Sequence, residues 1–323
     1  MRIMDAAAAV EFVQSGNRVY VHEAAMVPTT LLDALVERAP ELRDVEIVHI
    51  HTEAPAPYVA PEMEGHLRHN ALFIGANVRA AVNEGRADYT PVFLSEIPAL
   101  IADGTLPIDV AFIQVSPPDR HGYCRLGTSV ACARAAVDHA RIVIAEFNPR
   151  VPRTLGNSAV HVSRITAAVE VDRPLPSHPV RPFGPIEQAI GEHVAALVPN
   201  GATLQMGIGT IPNAVLAALR GHEDLGVHTE MFTDGLIDLI EAGVITNRAK
   251  SRFRGRVITS FAVGTDRLYS FVDDNPFVEF HSSDIVNDPR EIRQQSTMVA
   301  INSAIQIDLT GQVCADSIGE QMY

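Results

Sequence analysis

Short apolar runs alternate with stretches typical of helices along the whole chain. The clearest of these runs are residues 18–22, 45–51, 110–115, 203–206, 226–229 and 257–262. Short β-rich runs that are separated by helical stretches are typical of parallel strands connected by helices. The pattern therefore predicts α/β units with mainly parallel sheets.

A proline-rich segment, residues 173–185, interrupts this alternation near the middle of the chain. Its closely spaced prolines can continue neither a helix nor a central strand, because proline fixes φ and lacks a backbone N–H. The length of 323 residues also favours two domains at about 150 residues each. We therefore predict an N-terminal domain at residues 1–180 and a C-terminal domain at residues 181–323.

The two halves of the chain repeat a pattern. A strand-like run after a glycine and then a helical stretch that begins with proline occur at residues 16–35 and again at 201–219. Ile50-His-Thr-Glu53 then matches Val227-His-Thr-Glu230. We interpret this as duplication of one βαβ module, although short α/β patterns also coincide by chance. Duplication predicts two similar, open α/β domains.

The composition excludes several classes of partner. Apolar residues make up 47% of the chain, and the formal net charge of −14 repels nucleic acid phosphates. No apolar run reaches the roughly 18 residues of a membrane span, and the N-terminus carries Asp5 and does not resemble a secretory signal. Three cysteines without a CxxC pair agree with a reduced compartment. We expect a cytoplasmic protein with neither nucleic-acid nor membrane partners.

A glycine turn follows the predicted strand that ends at Met206. Gly207-Ile208-Gly209 leads to Thr210, which we predict as a helix N-cap, and to Pro212 near the first helical position. The free N–H groups of a helix start favour a phosphate or a developing oxyanion. Two glycines alone are also common in ordinary strand-to-helix turns, so the motif by itself is weak evidence.

Glu230 follows the predicted strand at 226–229 and so lies at the carboxyl end of a strand, where open α/β sheets bind ligands. Its spacing from the glycines would also suit ribose binding in a nicotinamide oxidoreductase, but Pro212 occupies the third fingerprint position, so this remains a minor alternative. Asp234 could cap the next helix. Glu53 matches Glu230 without a glycine turn beside it, and we interpret it as a structural copy.

Other candidates are weaker. We expect residues 115–127 to form an ordered loop that either holds a cofactor or merely turns the chain. Arg150 and Arg153 could meet a phosphate or a substrate carboxylate, although surface arginines more often do neither. His49 and His51 share one side of a strand but lack nearby third and fourth ligands, so we expect no metal site. The basic run at 250–256 is typical of a solvated connector, with phosphate contact as the lesser alternative.

At these motifs the chain resembles the acetyl-CoA hydrolase/transferase family, which includes 4-hydroxybutyrate and butyrate:acetate CoA-transferases. The similarity covers nearly the whole chain and is carried by the segments that begin at Ser116, Asn148, Gly207, His228, Asn275, Ile285 and Leu309. The chain departs from the family pattern at two positions. Arg150 stands where glutamine is common, and Ala131 stands where we would expect an acid.

The resemblance implies that Glu230 is the catalytic glutamate and that Asn287 and Gly264 orient the substrate. It also implies that coenzyme A contacts the segment consisting of Gly207, Ile208, Gly209, Thr210 and Ile211. By this likeness the protein is a CoA-transferase acting on short-chain acids such as 4-hydroxybutyrate, acetate and butyrate through a glutamyl-CoA thioester. Acyl-CoA hydrolysis with the same glutamate is the alternative.

The resemblance further implies coenzyme A and acyl-CoA as substrates, no tightly bound cofactor or metal, and a homo-oligomer, expected to be a dimer. Members of the family continue beyond residue 323 with a GxGG loop that closes the CoA pocket. We therefore expect an incomplete C-terminal domain and a missing C-terminal segment as a partner. An inactive fragment that binds a partner is a further alternative.

Overall fold

The computed structural model describes residues 1–179 and 182–322. The strands are β1 (Arg2–Ile3), β2 (Arg18–Val21), β3 (Val45–His49), β4 (Leu67–Ala71), β5 (Asp88–Tyr89), β6 (Val110–Val115), β7 (Tyr123–Arg125), β8 (Ile142–Phe147), β9 (Leu155–Gly156), β10 (Ala159–His161), β11 (Ala167–Glu170), β12 (Thr203–Met206), β13 (Gly226–Phe232), β14 (Val257–Ala262), β15 (Val278–Phe280), β16 (Met298–Ile301), β17 (Gln306–Ile307), β18 (Val313–Cys314), β19 (Ser317–Ile318) and β20 (Gln321–Met322). The α-helices are α1 (Ala6–Val10), α2 (Thr29–Arg38), α3 (Arg79–Asn83), α4 (Ile97–Ala102), α5 (Ala133–His139), α6 (Pro185–Ala195), α7 (Thr210–Ala218), α8 (Asp234–Glu241), α9 (Asp266–Val272), α10 (Ser283–Val286) and α11 (Pro289–Ile292).

The first half of the chain, residues 1–179, carries an eight-stranded parallel sheet with the order β1-β11-β8-β6-β2-β3-β4-β5. Its central strand β6 is buried along its whole length, because helices and loops cover both faces of a parallel sheet. The mainly parallel α/β fold predicted from the alternation of runs is confirmed. Strand β3 ends at His49, two residues earlier than predicted.

The second half, residues 182–322, contributes five strands to a six-stranded parallel sheet with the order β16-β12-β13-β14-β15-β9. The sixth strand, β9, comes from the first half and pairs with β15. Gly156 in β9 has a φ of +90°, and a Cβ there would lie 2.5 Å from the carbonyl oxygen of Phe280. Only glycine lets this strand approach so closely.

The two sheets share one arrangement of five strands. The order β6-β2-β3-β4-β5 in the first sheet repeats as β16-β12-β13-β14-β15 in the second. This is the arrangement that duplication of a βαβ module predicts. In both sheets the strand order reverses beside the first strand of the module, β2 or β12, and such a reversal opens a crevice at the carboxyl ends of the strands.

The core joins the halves rather than separating them. One buried apolar cluster contains residues of both sheets, for example Val115 and Phe147 with Phe232 and Phe261. A second cluster lies within the first half. Among residues 1–179 and 182–322, none of the helices has the length and apolar character that crossing a membrane requires.

Candidate active site

Glu230 lies inside β13, because the strand continues to Phe232 and does not end at Thr229 as predicted. The ladder between β13 and β14 pairs the residues on either side of Glu230 and is interrupted at Glu230 itself. Its carbonyl oxygen accepts a hydrogen bond from the Thr259 hydroxyl at 2.9 Å. The strand thus presents a half-buried carboxylate at a break in its own pairing.

The Glu230 carboxylate has one side-chain donor in the described part of the chain. Asn287 Nδ2 donates to Glu230 Oε2 over 2.8 Å. Burial raises the pKa of Glu230 above its ordinary value, and the hydrogen bond from Asn287 lowers it. Burial strengthens the carboxylate as a nucleophile because it removes water, and the amide keeps the ionised form accessible.

Asn287 reaches Glu230 because it ends the short helix α10. Its own N–H donates to the carbonyl of Ser283 at 2.9 Å. The first half holds the start of this helix: Ser283 N–H donates to Ala131 O at 3.0 Å, and its hydroxyl donates to Leu94 O at 2.8 Å. Sequence reasoning missed Ser283, Ala131 and Leu94, since no local pattern signals a contact between distant segments.

The glycine turn begins α7 one residue earlier than predicted. Gly209, with a φ of +111°, is the N-cap, so Thr210 is the first helical residue and Pro212 the third. The left-handed φ of Gly209 ends the extended chain where threonine would be strained. The N–H groups of Thr210 and Ile211 are in the first helical turn, which leaves them without partners inside the helix.

In the predicted anion-binding segment, Gly207 has a paired N–H and Ile208 has an exposed side chain. The N–H of Gly207 donates to Ile301 O at 2.7 Å, so it is already paired. Ile208 is 60% exposed, an unusual position for an apolar side chain of this size. The turn therefore offers a helix start and an open apolar surface beside it.

Thr229 connects the glycine turn with Glu230. In strand β12, Thr203 and Leu204 are the residues that pair with β13. Beyond them, the Thr229 hydroxyl supplies the hydrogen bonds between the two strands. It accepts a hydrogen bond from Met206 N at 3.0 Å and donates to Met206 O at 3.2 Å. Because Gly207 follows Met206 and Glu230 follows Thr229, the structure brings the turn and the carboxylate together.

Gly264 lies beyond β14, and within residues 1–179 and 182–322 no hydrogen bond joins it to Glu230. Its carbonyl accepts a hydrogen bond from His178 N at 2.9 Å. A Cβ at Gly264 would overlap Asp234 Oδ2 and lie 2.7 Å from Leu268 Cδ1. The close approach of Asp234 therefore requires glycine here.

The sequence predicted that Asp234 caps α8, but in the structure Asp234 is not the cap. Thr233 is the N-cap of α8, and Asp234 is the first helical residue. Its buried carboxylate accepts hydrogen bonds from the N–H and hydroxyl of Thr265. Asp234 therefore binds the loop after β14 rather than the start of its own helix, and these hydrogen bonds fix the segment that contains Gly264.

Glu53 occupies the matching place in the first half and is engaged by histidines. His178 Nε2 lies 2.8 Å from one of its oxygens and His51 Nε2 lies 3.7 Å from the other. His51 also contacts the ring of Phe261, with centroids 5.2 Å apart. His49 does not share these surroundings, because its ring stacks on His69 at 4.1 Å. Both histidines were expected on one strand, but β3 ends at His49 and His51 lies beyond it.

In the first half, a carboxylate of the protein binds the start of helix α2. The N–H of Leu31, in the first turn of α2, donates to Glu146 Oε1 at 2.9 Å. Arg173 lies 2.9 Å from the other oxygen of this buried carboxylate. A protein carboxylate therefore occupies the place that the start of α7 leaves open in the second half.

The remaining basic candidates are paired within the chain. Arg153 contacts Asp119 at 3.1 Å, and Arg150 contacts Asp172 at 2.7 Å. In the basic run, Arg252 and Arg256 contact acids, Arg254 donates to one carbonyl and the buried Lys250 donates to two. This pairing favours the connector interpretation of the run over phosphate contact.

Comparison with known proteins gives two family matches. Residues 1–179 match the acetyl-CoA hydrolase/transferase N-terminal domain, and residues 264–323 match the acetyl-CoA hydrolase/transferase C-terminal domain.

Individual relatives agree with these matches. The 4-hydroxybutyrate coenzyme A transferase of Clostridium kluyveri is 46% identical over 98% of this chain and 74% of its own length. The succinyl-CoA:acetate/propanoyl-CoA:succinate CoA transferase of Fasciola hepatica is 45% identical over 97% of this chain and 66% of its own. The crystal structure of 4-hydroxybutyrate CoA-transferase from Porphyromonas gingivalis has a TM-score of 0.86 at 37% identity, covering 97% of this chain and 75% of that one.

Proposed function

The chain belongs to the acetyl-CoA hydrolase/transferase family, and from this premise we propose that it is a CoA-transferase that moves coenzyme A between short-chain acids through Glu230. The observation that carries the proposal is the half-buried Glu230 carboxylate, which accepts the Asn287 amide at 2.8 Å beside an open helix start. A half-buried, ionised carboxylate with an anion-binding turn next to it is what attack on an acyl-CoA thioester requires.

The first half-cycle transfers coenzyme A to the protein. Glu230 attacks the thioester carbonyl, the carbon–sulfur bond breaks, and an acyl-glutamyl anhydride and the CoA thiolate result. The thiolate then attacks the glutamyl carbonyl of the anhydride, which releases the first acid as its carboxylate and leaves a glutamyl-CoA thioester. The second half-cycle reverses these steps with a different carboxylate. Each step moves only electron pairs, and no net proton is consumed.

The surrounding residues have separate roles in this proposal. Asn287 keeps Glu230 ionised and orients it. The segment of Gly207, Ile208, Gly209, Thr210 and Ile211 contacts coenzyme A, and the N–H groups of Thr210 and Ile211 stabilise the oxyanions. Gly264, fixed by Asp234, lines the same end of the sheet and orients the substrate.

The substrates we propose are short monocarboxylates of the 4-hydroxybutyrate, butyrate and acetate type, together with their CoA thioesters. The named relatives include a 4-hydroxybutyrate coenzyme A transferase, and this supports the choice. The free cysteines support a cytoplasmic location. We also propose a homodimer, and domains at residues 1–180 and 181–323.

The proposal is tested by incubating the protein with butyryl-CoA in the absence of an acceptor acid. Mass spectrometry should then find coenzyme A linked to the peptide that contains Glu230. Glu230→Gln should form no adduct and should lose transfer to acetate, because the amide is not a nucleophile. Glu53→Gln, the matched change at the structural copy, should still form the adduct.

Two results would contradict the proposal. One is an adduct on another residue, and the other is unchanged transfer by Glu230→Gln. The same incubation separates hydrolysis from transfer. A hydrolase releases free coenzyme A continuously in water, whereas a transferase stops at one adduct per site until an acceptor is added.

A further inference from the structure

His228 lies two residues before Glu230 on β13, and its environment is unusually well defined. Side chains at i and i+2 of a strand point to the same face, so His228 and Glu230 face α10 together. The His228 side chain belongs to a residue that is only 1% exposed. Its Nε2 lies 2.8 Å from the carbonyl oxygen of Val286.

Strand β13 therefore makes two contacts with the end of α10, at the adjacent residues Val286 and Asn287. His228 meets the carbonyl of Val286, and Glu230 meets the side chain of Asn287, the next residue. The peptide unit that links Val286 to Asn287 is thus held on both sides. A shift of this peptide would move the Asn287 amide away from the carboxylate.

The bond also fixes the protonation of the histidine. A carbonyl oxygen only accepts, so Nε2 must carry the proton. Burial lowers the pKa of His228 to about 4, opposed by the bond to Val286 and by Glu291, while Lys250 and His281 lower it further. The ring is therefore neutral at neutral pH, and its Nδ1 is buried without a partner in the described residues.

We infer that His228 is a positioning residue that holds the end of α10, and with it Asn287, against the Glu230 carboxylate. The inference rests on the proposed function of Glu230. The opposite end of α10 is held independently by Ser283, which bonds to Ala131 and Leu94. Loss of the His228 bond should therefore release one end of the helix and leave the rest of the fold in place.

The experiment compares two replacements of His228. Leucine removes the donor, whereas glutamine keeps an N–H at a similar distance from the backbone. His228→Leu should lower kcat by about tenfold, the effect of losing roughly one hydrogen bond, with KM for butyryl-CoA changed less than about twofold. His228→Gln should recover most of the loss.

A double-mutant cycle tests whether His228 acts through Asn287. If it does, the combined His228→Leu, Asn287→Ala variant should be no slower than Asn287→Ala alone. His222 provides the matched control, because its Nε2 lies 2.9 Å from the carbonyl oxygen of Val198, away from Glu230. His222→Leu should leave kcat unchanged. If His228→Leu does not fold, His228→Asn replaces it, since the shorter amide cannot reach Val286.

The outcomes separate this inference from the proposed function. Wild-type protein that forms no adduct on Glu230 overturns both. Wild-type protein that forms the adduct overturns the inference alone if the two changes are additive, if His228→Gln is as slow as His228→Leu, or if only KM rises. Non-additive loss of kcat with recovery by glutamine supports it.

Discussion

Thr229 satisfies both backbone groups of Met206 with one hydroxyl, accepting from the N–H at 3.0 Å and donating to the carbonyl at 3.2 Å. A hydroxyl can do both because it carries one donor and two lone pairs. Past Leu204, this hydroxyl replaces strand pairing between β12 and β13. Spacing between the glycine turn and Glu230 is therefore set by a side chain rather than by a ladder.

Replacing Thr229 by valine should weaken both folding and coenzyme A binding. Valine has the same shape but leaves two buried backbone groups unpaired, at a cost of about 1–3 kcal/mol for each group. We expect the free energy of unfolding to fall and KM for butyryl-CoA to rise. Thr229→Ser, which keeps the hydroxyl, should remain close to the wild type. Denaturant unfolding and steady-state kinetics measure the two effects, and equal behaviour of valine and serine would contradict the prediction.

Replacing Asn287 by alanine should move the acidic limb of the pH profile. Burial raises the pKa of Glu230, and the Asn287 hydrogen bond lowers it by favouring the ionised form. Removing that bond leaves burial unopposed, so the pKa of Glu230 rises further. As the pH is lowered, activity is then lost at a higher pH than in the wild type. The acidic limb of kcat/KM should therefore shift upward in Asn287→Ala, and the exposed control Asn83→Ala should not shift it. A limb that stays in place would show that the bond does not control ionisation.

A methyl group at Gly264 should be costly. The added Cβ would overlap Asp234 Oδ2 and lie 2.7 Å from Leu268 Cδ1, so the buried acid or the loop must move. Overpacking of this kind typically costs about 1–3 kcal/mol. Gly221→Ala is the matched control, since a Cβ there meets nothing within 4 Å. Thermal unfolding should distinguish the two variants, and equal melting temperatures would contradict the structure at Gly264.

The buried histidine pair should make the fold sensitive to acid. His49 and His69 stack at 4.1 Å, and burial lowers the pKa of His69 to about 4, while the pKa of His49 also lies well below its usual range. A pKa that is lower in the folded state contributes stability above the unfolded pKa of about 6.5, and this is lost as pH falls towards 4. For His69 the loss amounts to about 3 kcal/mol.

The measurement is the melting temperature between pH 7 and pH 4. His69→Gln cannot be protonated in this range, so its stability should fall less steeply with acid than that of the wild type. The exposed control His139→Gln should keep the wild-type slope. Equal slopes for His69→Gln and the wild type would show that the pair is not the source of acid sensitivity.

The strands of the fold were predictable because their apolar runs are a local property of the sequence. The end of β13 was not, since the half-buried Glu230 interrupts the apolar run, whereas pairing with β14 continues the strand to Phe232. The N-cap at Gly209 was missed for a related reason. Its left-handed φ is a property of the turn, and the neighbouring Thr210 has the more typical capping side chain.

The candidate site was predictable only in part. The strand pattern placed Glu230 at a strand end, and family resemblance pointed to Asn287. The supports of Asn287 were beyond prediction: Ser283 depends on Ala131 and Leu94, which are far away in the sequence, and His228 depends on where α10 ends. Local patterns carry no information about such contacts.

The short strand β9 makes the two halves inseparable as folding units. A polypeptide cut between residues 179 and 182 would leave the second half without its outermost strand, and the N–H and C=O groups of β15 would be open to other chains. Such a piece should associate or aggregate unless the first half is supplied. The sheet that carries Glu230 is therefore complete only when residues of the first half are part of the same molecule.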